Sequence, residues 1–178
     1  MKKIILYITA SLDQRIAYSD GGFEWLTEHL RFQKQDYGYN ELFDSVGTVI
    51  MGGRTCRELL NMDLKWSYNE KRTYVISRHK WNAKENIHFI SEKIIESISE
   101  IHKQASKDIL LIGGSELISI MLAADLIDEM QIVYFPVILG KGIPLFSEQS
   151  KESTWELIAS KPYENGVLSV RYQKKYDT

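Results

Sequence analysis

The stretch Asp108-Ile-Leu-Leu-Ile-Gly113-Gly114-Ser115-Glu116-Leu117 constrains this chain more than any other. An apolar run stops at two glycines and an amphipathic pattern begins, as where a buried strand hands over to a helix N-terminus. Two adjacent residues without a Cβ let a ligand approach the backbone. The uncapped N–H groups and dipole of a helix starting at Ser115 favour an anion such as a phosphate. Taken alone, Gly-Gly also serves as an ordinary strand-to-helix turn with Ser115 as a plain N-cap, so the rest of the sequence has to discriminate.

Residues 3–10 are continuously apolar and rich in β-branched side chains, the pattern of a strand covered on both faces. A polar break at Ser11-Leu12-Asp13 leads to a loop with a short extended piece at 16–18 and a turn at Ser19-Asp20-Gly21-Gly22. Residues 23–43 carry apolar positions at helical spacing, interrupted at Gly38. Residues 48–52 read as a second buried strand ending at Gly52-Gly53, with Thr55 placed to cap a short helix through Leu60. A polar loop over 61–70 carries Trp66 and Tyr68, strands follow at 73–77 and 87–90, and 93–105 is a helix with Ile94, Ile95, Ile98 and Ile101 on one face. After the opening stretch and its helix (115–124) come a strand over 129–139, a flexible basic turn at Gly140-Lys141-Gly142 and a hairpin over 155–170 marked by Asn165-Gly166. Strands alternating with helices predict an α/β fold: a mainly parallel central sheet between helical layers, finished by an antiparallel C-terminal edge hairpin.

With 178 residues, 44% of them hydrophobic, the chain suits a single domain spanning 1–178. The net charge of -2, with basic residues dispersed, argues against nucleic acid or a membrane surface as the main partner and for a small molecule. One cysteine, Cys56, rules out an internal disulfide framework and a cysteine metal cluster, and such a residue usually packs as a small apolar side chain. The apolar residues after Lys2 and Lys3 are too few for a signal peptide or membrane span, so a cytoplasmic location is expected. Apolar residues on the terminal hairpin would serve either a core face or a homodimer contact.

Three glycine-bearing or polar strand ends occur in order: Met51-Gly52-Gly53-Arg54-Thr55, Ile76-Ser77-Arg78 and Ile112-Gly113-Gly114. They lie between Ala10-Ser11-Leu12-Asp13 and Pro136-Val-Ile-Leu-Gly140-Lys-Gly142-Ile-Pro144-Leu-Phe146. With these motifs the chain resembles the dihydrofolate reductase superfamily, closest to the branch of the reductase domain in bifunctional riboflavin-synthesis enzymes. The resemblance implies a three-layer fold with NADPH across the carboxyl ends of the strands. By position, Gly52, Arg54 and Thr55 match the family's Gly-basic-basic-Thr phosphate motif, and Ser77 and Arg78 the segment beside the 2′-phosphate. Gly113, Gly114, Ser115 and Glu116 match the glycine turn under the pyrophosphate, which in the family holds a cis Gly-Gly bond. Ala10, Leu12, Ile16, Ile112 and Leu117 fall on the remaining cofactor-contacting positions. Gly53 is a departure, standing where the family often has its first basic residue.

On the substrate side, counting back from Met51 puts Asp36 on the family's buried pocket carboxylate, which would hold an aminopyrimidine ring and assist its protonation. A solvated helix-surface aspartate is the alternative. The resemblance places Trp25 and Tyr134 at the pocket or its carboxylate, although both also suit core aromatics. Asn40 stands where the family has an aromatic ring over the pterin, and Lys71 near its folate-binding arginine. The resemblance thus implies an NADPH-dependent reductase with a pterin-like substrate. Its alternatives are the riboflavin-pathway reductase of 5-amino-6-(5-phosphoribosylamino)uracil, which would want basic groups such as Lys141 near a sugar phosphate, and a nucleotide-binding protein without catalysis.

Overall fold

The computed structural model describes residues 1–30, 34–61, 68–81, 85–148 and 150–176. The loop expected over 61–70, with Trp66, falls largely outside them, as do residues 31–33 within the expected 23–43 helix. An eight-stranded sheet runs β5 (Ile87–Ile90), β4 (Arg72–Ile76), β3 (Val46–Gly52), β6 (Asp108–Gly113), β1 (Ile4–Ala10), β7 (Glu129–Tyr134), β10 (Leu168–Lys174), β9 (Trp155–Pro162). The first six strands are mutually parallel, and β10 and β9 finish the sheet antiparallel. A small antiparallel pair, β2 (Arg15–Ala17) with β8 (Ile143–Pro144), stands apart from it.

The β1 sequence is apolar throughout because both faces are covered. Ile4, Leu6, Ile8 and Ala10 pack on one side with α4 (Ile94–Gln104) and α5 (Ser115–Ala123). Ile5 and Tyr7 pack on the other with α1 (Glu24–Leu30), α2 (Tyr39–Ser45) and α3 (Gly53–Asn61). This alternation gives the helix–sheet–helix layering.

Several boundaries differ from the sequence reading. The strand expected over 129–139 stops at Tyr134, because Pro136 has no N–H for the ladder. The break expected at Gly38 within 23–43 is present, with Gly38, at φ 81°, just ahead of α2, although α1 already ends at Leu30 and α2 runs on to Ser45. The left-handed backbone of Gly38 turns the chain sharply enough to start α2 against the sheet. The hairpin runs on to Lys174, turning at Tyr163–Val167 with Gly166 at φ 85°.

At the amino edge of the central strands, the nearly inaccessible Glu129 carboxylate is paired with Lys3 and with Arg171, whose Nη2 approaches to 2.5 Å. Burial alone would raise its pKa, but hydrogen bonds from Lys3 and Arg171 outweigh that and lower it. Ionic pairing therefore sits at this edge, and the opposite, carboxyl edge is built from bare backbone.

Leu111 in β6 is fully buried between Leu6 and Ile50. Leu111→Ala is expected to cost about 2–5 kcal/mol in urea denaturation while leaving the far-ultraviolet circular dichroism of the folded state unchanged.

Candidate active site

Strands β1, β3, β4 and β6 deliver Ala10, Gly52, Ile76 and Gly113 to one edge of the sheet, and α3 and α5 start directly from two of them. The Gly113–Gly114 peptide is cis, as the resemblance implies, and Gly113 has φ 111°. A Cβ on Gly52 would lie 3.4 Å from the Gly114 nitrogen and 3.6 Å from the Gly113 oxygen, so the two corners meet backbone to backbone. A Cβ on Gly114 would lie 3.6 Å from Thr55 Oγ1, and one on Gly21 would come within 2.9 Å of Arg54 Nη1. Gly21, Arg54, Gly52, Thr55, Gly113 and Gly114, scattered over most of the sequence, are thus gathered at one place. No side chain caps α5, leaving its first N–H groups directed at this edge.

Thr55 is not an N-cap. Helix α3 begins at Gly53, and Thr55 lies in its first turn with its hydroxyl toward Gly114. The departure at Gly53 also has a physical cause, since a Cβ there would stand 2.8 Å from Ser77 Oγ and 2.9 Å from Ser77 Cβ. The basic residue expected at that position has no room. Ser77 Oγ in turn donates to the His79 carbonyl (2.8 Å) and accepts from the His79 N–H (3.2 Å), a tight turn with Arg78 exposed at its tip. Arg54 is likewise exposed, and among the described residues neither guanidinium beside the bare corners has an ion pair.

The loop after β1 is tied down rather than loose. Ser11 Oγ donates to Asp13 (2.6 Å), and Asp13 accepts from the N–H groups of Leu139 (3.1 Å) and Gly140 (2.8 Å). The Ser11 bond, the largest influence, is opposed by burial and reinforced by those backbone groups, and together they bring the Asp13 pKa down to about 2. Gly142, at φ 141°, packs so closely on β2 that a Cβ would lie 2.3 Å from the Ala17 oxygen. Ser115 Oγ donates to the Pro144 carbonyl at 2.6 Å, so loop, β8 and the start of α5 form one hydrogen-bonded unit.

Within that unit Leu12 is 56% exposed at the edge, its N–H bonded to the Val137 carbonyl. Ala10 and Leu117 are buried, and Ile16 and Ile112 pack against the two cores. These four can offer a ligand backbone more readily than side chain. Glu116 is exposed on α5.

The substrate-side expectations fare differently. Asp36 is exposed, and its carboxylate accepts from the N–H groups of Gly38 (3.4 Å) and Asn40 (2.9 Å) at the start of α2. The structure therefore does not bury this carboxylate, because capping the helix holds it at the surface. Asn40 is also exposed. Tyr134 faces the α5 layer and lines a cavity of about 420 Å³ with Met130, Phe146, Trp155 and Tyr172, away from Trp25. The ring on the Trp25 side belongs to the next residue, Phe135, whose centroid lies 6.1 Å from that of Trp25. Trp25 is only 2% exposed, and its buried Nε1 has no hydrogen-bond partner among the described residues.

Sequence reasoning missed the aromatic wall around it, in which Tyr37 and His29 also pack edge-on against Phe135. Period-two alternation carried one residue past β7 would have pointed to Phe135. Tyr7 donates to the carbonyls of Asp36 and Tyr37, each at 3.3 Å, and burial pushes its pKa far up, so its proton stays in place. Lys71 Nζ donates to the Val46 carbonyl (2.8 Å) and lies 4.7 Å from the Phe43 ring centre. Cys56 is fully buried, and burial lifts its thiol to about 11, which rules it out as a ready nucleophile.

A doubly covered parallel sheet with glycine corners meeting at its carboxyl edge gives the chain a dihydrofolate-reductase-like fold. More narrowly, the chain belongs to the RibD C-terminal domain family, a family of reductase domains, whose model matches residues 2–169. It is 33% identical to the uncharacterized protein YwjB of Bacillus subtilis (strain 168) over 168 residues, 93% of this chain and 95% of the relative. Among solved structures, a Shewanella sp. PV-4 protein assigned by name to riboflavin biosynthesis superposes with a TM-score of 0.85 at 29% identity, covering 98% of this chain and 99% of that one. The Thermotoga maritima diaminohydroxyphosphoribosylaminopyrimidine deaminase/5-amino-6-(5-phosphoribosylamino)uracil reductase gives 0.72 at 18% identity, covering 98% of this chain and 57% of that one. Enterococcus faecalis dihydrofolate reductase complexed with NADP(H) gives 0.71 at 17% identity, covering 98% and 97%, a likeness of fold alone.

Two outcomes are expected. Gly53→Ala should destabilise the protein by about 1–3 kcal/mol through the Ser77 clash, and Ser77→Gly in the same chain should restore most of the loss in a double-mutant cycle. Because the folded Asp13 pKa lies below its unfolded value, its contribution is complete above the unfolded pKa of about 4 and disappears as pH falls toward about 2. The stability gap between wild type and Asp13→Asn, followed by urea denaturation, should therefore be flat near neutrality and close across that acid window.

Proposed function

We propose that the chain, as one reductase domain over residues 1–178, is an NADPH-dependent reductase of the riboflavin-pathway type, acting on a pyrimidine that carries a ribose-phosphate substituent. The observation that carries this reading is the backbone contact between Gly52 and Gly113–Gly114, beside the starts of α3 and α5. A Cβ at Gly52 would sit in van der Waals contact with the Gly113–Gly114 backbone and cover the corner, so its absence keeps bare backbone where a pyrophosphate would be gripped. The membership of the RibD C-terminal domain family favours the uracil-type substrate over the pterin first expected from the wider superfamily. The surface position of Asp36 points the same way, because a pterin site relies on a buried carboxylate at that place.

When bound, NADPH supplies a hydride to a polarised C=N or C=O group, and the protein contributes position and charge. In this reading the N–H groups of Arg54, Thr55, Ser115 and Glu116 bind the diphosphate. Arg54 and Arg78 favour the extra 2′-phosphate, which gives a preference over NADH. The loop held by Asp13 excludes water on one side.

Fluorescence titration should show NADPH bound more tightly than NADH. Arg54→Ala and Arg78→Ala should each weaken NADPH binding about tenfold, with a smaller effect on NADH. NADPH absorbance should fall with 5-amino-6-(5-phosphoribosylamino)uracil and hardly at all with dihydrofolate. Absence of affinity for both dinucleotides would defeat the reductase reading, and turnover of dihydrofolate alone would return it to the pterin type.

A further inference from the structure

The turn Tyr18-Ser-Asp-Gly21-Gly22 begins with three exposed residues, Tyr18, Ser19 and Asp20, and then buries a glycine. Its own hydrogen bonds close it. The Tyr18 N–H donates to the Gly22 carbonyl (2.8 Å), the Gly21 N–H to the Tyr18 carbonyl (2.9 Å) and the Gly22 N–H to Asp20 Oδ1 (2.9 Å). Gly142 packs against Ala17 and Tyr18 just ahead of it, so the turn is anchored to the β2–β8 pair. What covers Gly21 is Arg54. A Cβ at position 21 would stand 2.9 Å from Nη1, 3.1 Å from Cδ and 3.4 Å from Cζ of that one side chain. With φ 90°, Gly21 also adopts a backbone that residues bearing a Cβ rarely take.

We infer that Gly21 is a positioning residue of the dinucleotide site: the closed turn Tyr18–Gly22 gives the Arg54 guanidinium a seat without a Cβ and holds it ready for its anion. The inference rests on the reading of Arg54 as a cofactor-binding residue. An exposed arginine samples many rotamers, and ordering it at the moment of binding lowers affinity. A seat that orders it beforehand removes that cost. Holding the group with a carboxylate would fix it too, but the carboxylate would compete with a phosphate for the same N–H donors. Glu24 folds over the neighbouring Gly22 yet makes no ion pair with Arg54. Among the described residues no hydrogen bond or ion pair occupies the Arg54 guanidinium, so contact with Gly21 directs it and leaves its donors open.

Fluorescence titration of the full chain with NADPH and NADH tests this. Gly21→Ala should weaken NADPH binding roughly three- to tenfold and NADH binding less, because the new methyl group displaces the guanidinium from its seat. In an Arg54→Ala background, the same Gly21→Ala change should alter NADPH affinity by less than about twofold, since no guanidinium remains to displace. Asp20→Ala frees the turn without touching Arg54, and should lower the NADPH-over-NADH preference in the same direction by a smaller factor. It carries the comparison if Gly21→Ala fails to fold, which circular dichroism would reveal. Folded variants that bind NADPH like wild type, equal weakening of both dinucleotides, or a Gly21→Ala effect that persists in full without Arg54 would each overturn the inference alone. A wild type without affinity for NADPH, or an Arg54→Ala chain that binds it undiminished, would defeat the cofactor reading of Arg54 and this inference with it.

Discussion

The contact on which the rest of the structure depends is the meeting of two strand ends through their backbones, Gly52 against Gly113–Gly114. Adjacent parallel strands lie about 4.8 Å apart, and helices starting from both would ordinarily put side chains between their first turns. With no Cβ atoms there, the backbone of both corners stays bare where α3 and α5 start, and Thr55 reaches toward Gly114. The same economy recurs at Gly53 against Ser77 and at Gly142 against Ala17. Each close approach fixes a neighbouring segment: the turn presenting Arg78, or the loop that follows β1.

Two opposite solutions to charge sit at the two ends of the central strands. At the amino end, a buried carboxylate is held by Lys3 and Arg171, and the site is electrostatically closed. At the carboxyl end, Arg54 and Arg78 have no carboxylate partner among the described residues, and helix N-termini add partial positive charge. Such an arrangement favours an anionic ligand at one edge of a chain whose overall charge is slightly negative.

The fold was readable because burial on both faces writes β1 and β6 as unbroken apolar runs, and because glycines mark where those strands end. The corners themselves were readable for the same reason, since glycine marks where each strand ends and the next helix begins. The substrate side was not. Asp36 was placed by counting residues through a segment where the chain leaves one helix and starts another, and counting says nothing about which way a side chain turns. Tyr134 was placed one residue from Phe135, and on a strand one residue is the difference between opposite faces. Gly53 looked like a missing charge in the sequence, and only the nearness of Ser77 reveals it as a steric requirement.

The place of β1 in the sheet has a bearing on how the chain folds. It is synthesised ahead of the other strands of this sheet, yet its register partners begin at Ile109 and Glu129, more than a hundred residues later. The most apolar segment therefore waits without hydrogen-bonded neighbours until most of the polypeptide exists. Closing such long loops slows assembly and leaves a sticky strand exposed to other nascent chains in the meantime.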